Sequence, residues 1–234
     1  MKHTSIIFTL LLAAASVYGQ TGGSNLPASI RQANAQADRY ADYDCVQLLD
    51  STGVNVQSTG SGSFIIRRIV KVQTKQGALA NHVLKYDYDP LTAYAEFHRV
   101  TLYKANGDVI NLDITQQQDY VAPARAIYWG ARQIMMEVGH LDEGDIIDYQ
   151  INKKGFTYAL LAAGEEDNSR FIPPMRGQFY DIVPFWVSEP TVRKVYKVTI
   201  PMEKEMQFQF YQGECSSSMR YENGQKSYTF TRTD

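Results

Sequence analysis

From Cys45 onward the chain repeats with a period of two. Phe64, Ile66, Val70 and Val72 alternate with Ile65, Arg67, Ile69 and Lys71, and Arg68 is the one polar member of the first set. Ile147, Tyr149 and Ile151 alternate with Asp148, Gln150 and Asn152. Val192, Tyr196, Val198 and Ile200 alternate with Arg193, Val195, Lys197 and Thr199, and Phe208 and Phe210 sit between Gln207, Gln209 and Tyr211. Such alternation gives a strand one packed face and one wet face, as in antiparallel sheets. The turn residues fall between these runs. Thr59-Gly60-Ser61-Gly62, Asn106-Gly107-Asp108 and Asn223-Gly224 separate neighbouring strand patterns, and Asn-Gly suits tight hairpins because both central residues accept positive φ. Leu141-Asp142-Glu143-Gly144-Asp145 is a polar turn before another strand. Short strands at this spacing, with little helix between them, predict a mainly β fold, an antiparallel two-sheet β-sandwich over residues 44–234.

Two regions depart from the pattern. Residues 20–43 read as a flexible Gly/Ser leader and a short N-terminal helix or arm, with Ser29 as cap for Ile30, Ala33, Ala37 and Tyr40. In the middle, Tyr120-Val121-Ala122-Pro123 breaks the alternation, and Ala124–Met136 is expected as a minor helical or irregular crossover. Phe171-Ile172-Pro173-Pro174 and Val183-Pro184-Phe185-Trp186 are apolar but proline-bearing, and are expected as edge segments over the core.

Residues 1–19 read as an export signal. Met1-Lys2-His3 is a short basic start, Ile6 to Ala15 is an apolar run, and Val17 and Gly19 stand at −3 and −1 of a cleavage site. A membrane span needs roughly 20 apolar residues. The run is shorter, and polar Gln20-Thr21-Gly22-Gly23-Ser24 follows at once. A periplasmic or extracellular product with no transmembrane segment is therefore expected. In that oxidising setting Cys45 and Cys215 are candidates for one disulfide, with two unpaired thiols as the alternative.

Composition narrows the function classes. Sixteen Tyr and 10 Phe argue against disorder, and a net charge of −2 leaves no field to hold nucleic acid. A cysteine nucleophile could only be Cys45, since every histidine precedes Cys215, yet Asp42-Tyr43-Asp44-Cys45 surrounds it with acid that opposes a thiolate. His82, His98 and His140 are scattered, and Glu165-Glu166-Asp167-Asn168 lacks the spacing and glycine of a calcium loop, so no metal site and no cofactor is expected. Asp142, Glu143 and Asp145 read as turn residues. Tyr128, Trp129, Tyr180 and Trp186 are candidate ligand-contact aromatics, with core and edge packing as the plainer reading. Arg125, Arg132, Arg170 and Arg176 fall near them and could join a buried Arg–carboxylate network.

The order of segments resembles a bacterial domain of unknown function that precedes transglutaminase-like domains in exported proteins. The resemblance runs through Asp44–Asp50, Arg67–Val72 with Gly77, Glu96–Tyr103 with Asn106-Gly107, and Leu141–Tyr149, the last being similar to an L-x-x-G-D-I-I-x-Y pattern. It implies a β-sandwich accessory module with no catalytic residues to carry over. Any cysteine chemistry would then belong to a following transglutaminase-like domain. The last residues, Tyr228–Asp234, read as a strand cut short, so a truncated protein or a stand-alone relative lacking the enzyme domain is expected. The leading expectation is an exported non-catalytic module that binds protein or glycan, with a transglutaminase-like partner in cis or in trans. The alternative is a carbohydrate-binding or glycoside-hydrolysing periplasmic protein whose carboxylates pair in space.

Overall fold

Alternating side chains assemble the chain into two sheets. A computed structural model of the protein describes residues 25–123, 130–157, 160 and 171–233. The expected export signal, the aromatics Tyr128 and Trp129, Arg125, Arg170 and the acidic run Glu165–Asn168 lie outside the described residues. The strands are β1 (Cys45–Val56), β2 (Gly62–Val72), β3 (Val83–Tyr88), β4 (Ala93–Tyr103), β5 (Val109–Asn111), β6 (Gln118–Val121), β7 (Arg132–Glu137), β8 (Ile146–Gly155), β9 (Arg193–Pro201), β10 (Ser216–Glu222) and β11 (Gln225–Thr233). Two short α-helices accompany them, α1 (Ala28–Asn34) and α2 (Lys75–Asn81). The protein is mainly β, with eight strands ordered β10-β11-β9-β1-β2-β8-β4-β5 and three ordered β3-β7-β6. No described helix is long and apolar enough to cross a membrane.

Several expectations are corrected. The large sheet is not wholly antiparallel, because β9 pairs parallel to β1 from Asp50↔Lys194 to Asn55↔Thr199. Parallel neighbours cannot be joined by a hairpin, and β9 returns beside β1 only after β2–β8 have intervened. Residues 132–136 are not helical. They form β7 between β3 and β6, where Ile134 and Met136 enter the core. Phe208 and Phe210 are not in a strand, since their rings pack edge-on against Phe230, at 4.9 and 6.0 Å. Ser29 does not cap α1. Pro27 stands at that position without a side-chain bond, and Ser29 falls inside the first turn.

Two apolar clusters lie on the large sheet. One joins Val54, Phe64, Phe97 and Ile151 of that sheet to Leu84, Ile134 and Met136 of the small one. In the other, Ile30 of α1 and Ala37 of a following 3-10 turn pack on Val46, Leu48, Ile69 and Ile146.

Two bulges then sort the charges between these faces. The β1–β2 register shifts between Gln47 and Leu49, and the β4–β8 register shifts between Phe97 and Arg99. One extra residue flips every side chain beyond it to the other face. The first bulge puts Asp50 on the same face as its cross-strand partner Arg68. The second puts Arg99 on the face of Asp148, opposite to Phe97.

Candidate functional site

Strand register lines up a polar row on the face that carries Phe64 and Phe97. Lys194 lies beside Asp50 across β9–β1, Asp50 faces Arg68 across β1–β2, and Arg68 faces Tyr149 across β2–β8. Along β1 the same face continues through Gln47, opposite Val70, to Cys45, opposite Val72. The helix α2 stands on one side and Ser188–Pro190 on the other, so that a cleft of about 450 Å³ opens between them. That volume falls within the usual range of small-ligand pockets.

Local sequence builds the α2 wall. Thr74 caps the helix, its side chain accepting from the Gly77 amide at 3.1 Å. Glycine at 77 permits close docking, because a Cβ there would fall 2.1 Å from the Asp44 carbonyl oxygen and 2.7 Å from Cys45 Sγ. Asn81, one turn on, directs Nδ2 to Cys45 Sγ at 3.2 Å.

The floor is asymmetric in charge. Lys194 Nζ is 2.6 Å from Asp50 Oδ2, both side chains nearly buried, so this pair is neutral overall. Arg68 Nε is 3.8 Å from Asp50 Oδ1, too far for a hydrogen bond, and about a third of its side chain is exposed. One positive charge therefore remains in the row. Tyr149 beside it makes no hydrogen bond to any described residue, and burial holds its hydroxyl above the usual range. At the rim, Gln47 Nε2 donates to Glu189 Oε2 at 2.8 Å, while Gln47 Oε1 is buried without a partner among the described residues. No described cation pairs with Glu189.

Cys45 sits between these groups. Burial first, then the carboxylates of Glu189 and Asp44, push its thiol up to about 11, against a smaller opposing effect of Asn81. It is a protonated thiol at neutral pH, which is not a nucleophile. His82 lies at the end of α2, with Nδ1 2.5 Å from the Leu79 carbonyl, and does not line the cleft.

The remaining sites disperse. Cys45 and Cys215 are free thiols, which corrects the disulfide expectation. Cys215 immediately precedes β10, three strands from β1 in the sheet order. Strands about 4.8 Å apart put roughly 14 Å between the two even before their offset along the strands. A disulfide needs Cα atoms within about 7 Å. Trp186 is half exposed, with the Arg232 guanidinium 4.4 Å from its ring centre. Tyr180 is also exposed, and its carbonyl accepts from Thr157 Oγ1 at 2.6 Å. Neither aromatic lines the cleft.

The buried carboxylates among the described residues are all held by cations. Asp148 accepts from Arg67 at 2.8 and 2.9 Å and from Arg99 at 3.2 Å. Asp145 is more than a turn residue, since it is fully buried and accepts from Lys104 Nζ at 2.5 Å and the Ala105 amide at 2.8 Å. The Arg–carboxylate network thus forms around Arg67 and Arg99, while Arg132 makes a half-exposed pair with Asp119. No group of three His, Cys, Asp or Glu side chains is poised for a metal among the described residues.

The family model of a domain of unknown function with solved structures, DUF3857, matches residues 58–234. The chain belongs to the DUF3857 family. The match begins after the resembling segment Asp44–Asp50, so the β1 wall of the cleft precedes the matched part of the DUF3857 domain. Among solved structures, a candidate protease from Parabacteroides distasonis is similar at a TM-score of 0.63 and 12% identity, over 81% of this chain and 35% of that one. The chain thus spans about a third of that protein's length, and at such identity the likeness is one of fold alone. An M1 zinc metallopeptidase from Deinococcus radiodurans gives 0.38 at 13% identity, over 81% of this chain and 39% of that one, and supports no argument. No curated protein matches the chain.

Proposed function

We propose that this DUF3857 chain is an exported, non-catalytic accessory module that binds or positions protein or glycan for a transglutaminase-like enzyme domain, in cis or in trans. The observation that carries the reading is the state of Cys45, a thiol held protonated by burial and by two acidic neighbours in the middle of the cleft. A transamidase or cysteine hydrolase needs the opposite environment. The buried carboxylates add support, because Asp50, Asp145 and Asp148 are each engaged by Lys or Arg within the fold. The fold's recurrence as about a third of a larger candidate protease also favours a module. We read the two sheets as a β-sandwich, since Leu84 and Met136 share one apolar cluster with Phe97 and Ile151. Export rests on the basic start, apolar run and small residues of positions 1–19.

The test is an assay of the purified chain for hydrolysis and transamidation of protein and glycan substrates, with Cys45→Ala in parallel. Neither protein is expected to turn over substrate. Turnover by the wild type that vanishes in Cys45→Ala would overturn the reading. Amino-terminal sequencing of the secreted protein should begin at Gln20.

A further inference from the structure

We infer that the cleft beside Cys45 is a binding site for a short zwitterionic peptide, its carboxylate held by Arg68 and Tyr149 and its ammonium by Glu189. Arg68 presents a fork of donors with no hydrogen bond to a described residue, and the one described carboxylate in ion-pair range of it, Asp50 at 3.8 Å, already has Lys194 at 2.6 Å. A planar guanidinium of this kind matches a carboxylate with two parallel bonds. The Tyr149 hydroxyl, cross-strand from Arg68 and without a bond of its own, is a further donor to the same anion.

The other end carries the opposite sign. Gln47 Nε2 fixes one oxygen of Glu189 at 2.8 Å and leaves its negative charge unpaired among the described residues. Asp44 lines the same cleft. Two carboxylates at the rim repel a polyanion such as phosphate, and Arg68 repels a simple cation. A ligand carrying both charges satisfies both ends. Gln47 and Arg68 are diagonal neighbours across β1–β2, since Gln47 faces Val70 and Arg68 faces Asp50. Diagonal positions are near neighbours on one face, so the Glu189-holding amide of Gln47 and the Arg68 fork open into the same cleft, whose volume of about 450 Å³ leaves room for a short peptide. Val70, Ala80 and Pro190 supply apolar walls between them. The inference goes beyond the accessory-module reading and stands whether or not the chain is exported.

Isothermal titration of the purified protein with Ala-Ala tests it, alongside N-acetyl-Ala-Ala, Ala-Ala amide and inorganic phosphate. Saturable binding of Ala-Ala is expected, weakened at least about tenfold by blocking either terminus, with none for phosphate. Glu189→Gln should lower Ala-Ala to the level of the N-acetylated peptide and leave that peptide's own affinity unchanged. Arg68→Met should lower Ala-Ala to the level of the amide. Because Arg68 adjoins a buried ion pair, Glu189→Gln on the exposed rim decides the matter if Arg68→Met does not fold. Absence of saturation by Ala-Ala in the millimolar range would overturn the assignment. So would blocked peptides binding as well as Ala-Ala, or Glu189→Gln without effect.

Discussion

Lys194 Nζ lies 2.6 Å from Asp50 Oδ2, although the two residues are 144 positions apart and both side chains are nearly out of water. The parallel β1–β9 pairing sets them side by side, and the bulge after Gln47 turns Asp50 onto the right face. Their pairing offsets the desolvation of two charges. Removing Asp50 leaves Lys194 buried without its carboxylate, and removing Lys194 leaves Asp50 with only Arg68 at 3.8 Å, at a cost of up to about 3–5 kcal/mol. Asp50→Leu and Lys194→Met should each lose that much in urea unfolding, while the double variant loses about 1–3 kcal/mol less than the sum of the two. Strict additivity would show that the pair is not coupled.

Gly77 is the point of closest approach between α2 and β1. With a Cβ placed 2.1 Å from the Asp44 carbonyl, Gly77→Ala should destabilise by about 1–3 kcal/mol through overpacking. Gly53 in β1 has nothing within 4 Å of such a Cβ, so Gly53→Ala is expected to stay within about 0.5 kcal/mol of the wild type. Equal thermal midpoints for the two variants would contradict this.

Both thiols should react. A thiol count on the denatured, unreduced protein should return two groups, one each from Cys45 and Cys215, and the intact mass should not change on reduction. A count of zero would require a different strand order.

The Cys45 thiol also links stability to pH. Its folded value of about 11 stands above the ordinary 9.0, so the folded state holds the proton more tightly. This contribution is fully present below pH 9 and is lost as pH rises from 9 through 11. Urea midpoints of the wild type should therefore fall more steeply across that window than those of Cys45→Ala, with parallel behaviour below pH 8. Parallel curves throughout would contradict the assignment.

Much of the fold is legible in the sequence where alternation is long. The β1–β2 and β10–β11 hairpins follow Thr59–Gly62 and Asn223-Gly224, and β8 and β9 follow their alternating runs. Arg68, the polar residue in an apolar set, does lie on that face, opposite Asp50. Legibility fails where tertiary contacts decide. Phe208 and Phe210 alternate like a strand yet find ring partners instead of a ladder, and β7 is sustained by β3 and β6 rather than by a pattern of its own. In the cleft, Asp44, Cys45 and Arg68 stand out locally, but not the partners they meet. Arg68 and Tyr149 meet through the β2–β8 register, and Glu189, in the bend before β9, is brought in by Gln47 of β1, none of which any spacing along the chain encodes.

The state of Cys45 is open to direct measurement. In a Cys215→Ser background, the rate of iodoacetamide alkylation followed from pH 6 to 12 reports the thiolate of Cys45 alone. The rate should be low and flat near neutrality and rise with a midpoint of about 11. A midpoint below pH 8, or fast modification near pH 7, would mark an activated nucleophile and contradict the reading of this cleft as a binding site without catalysis.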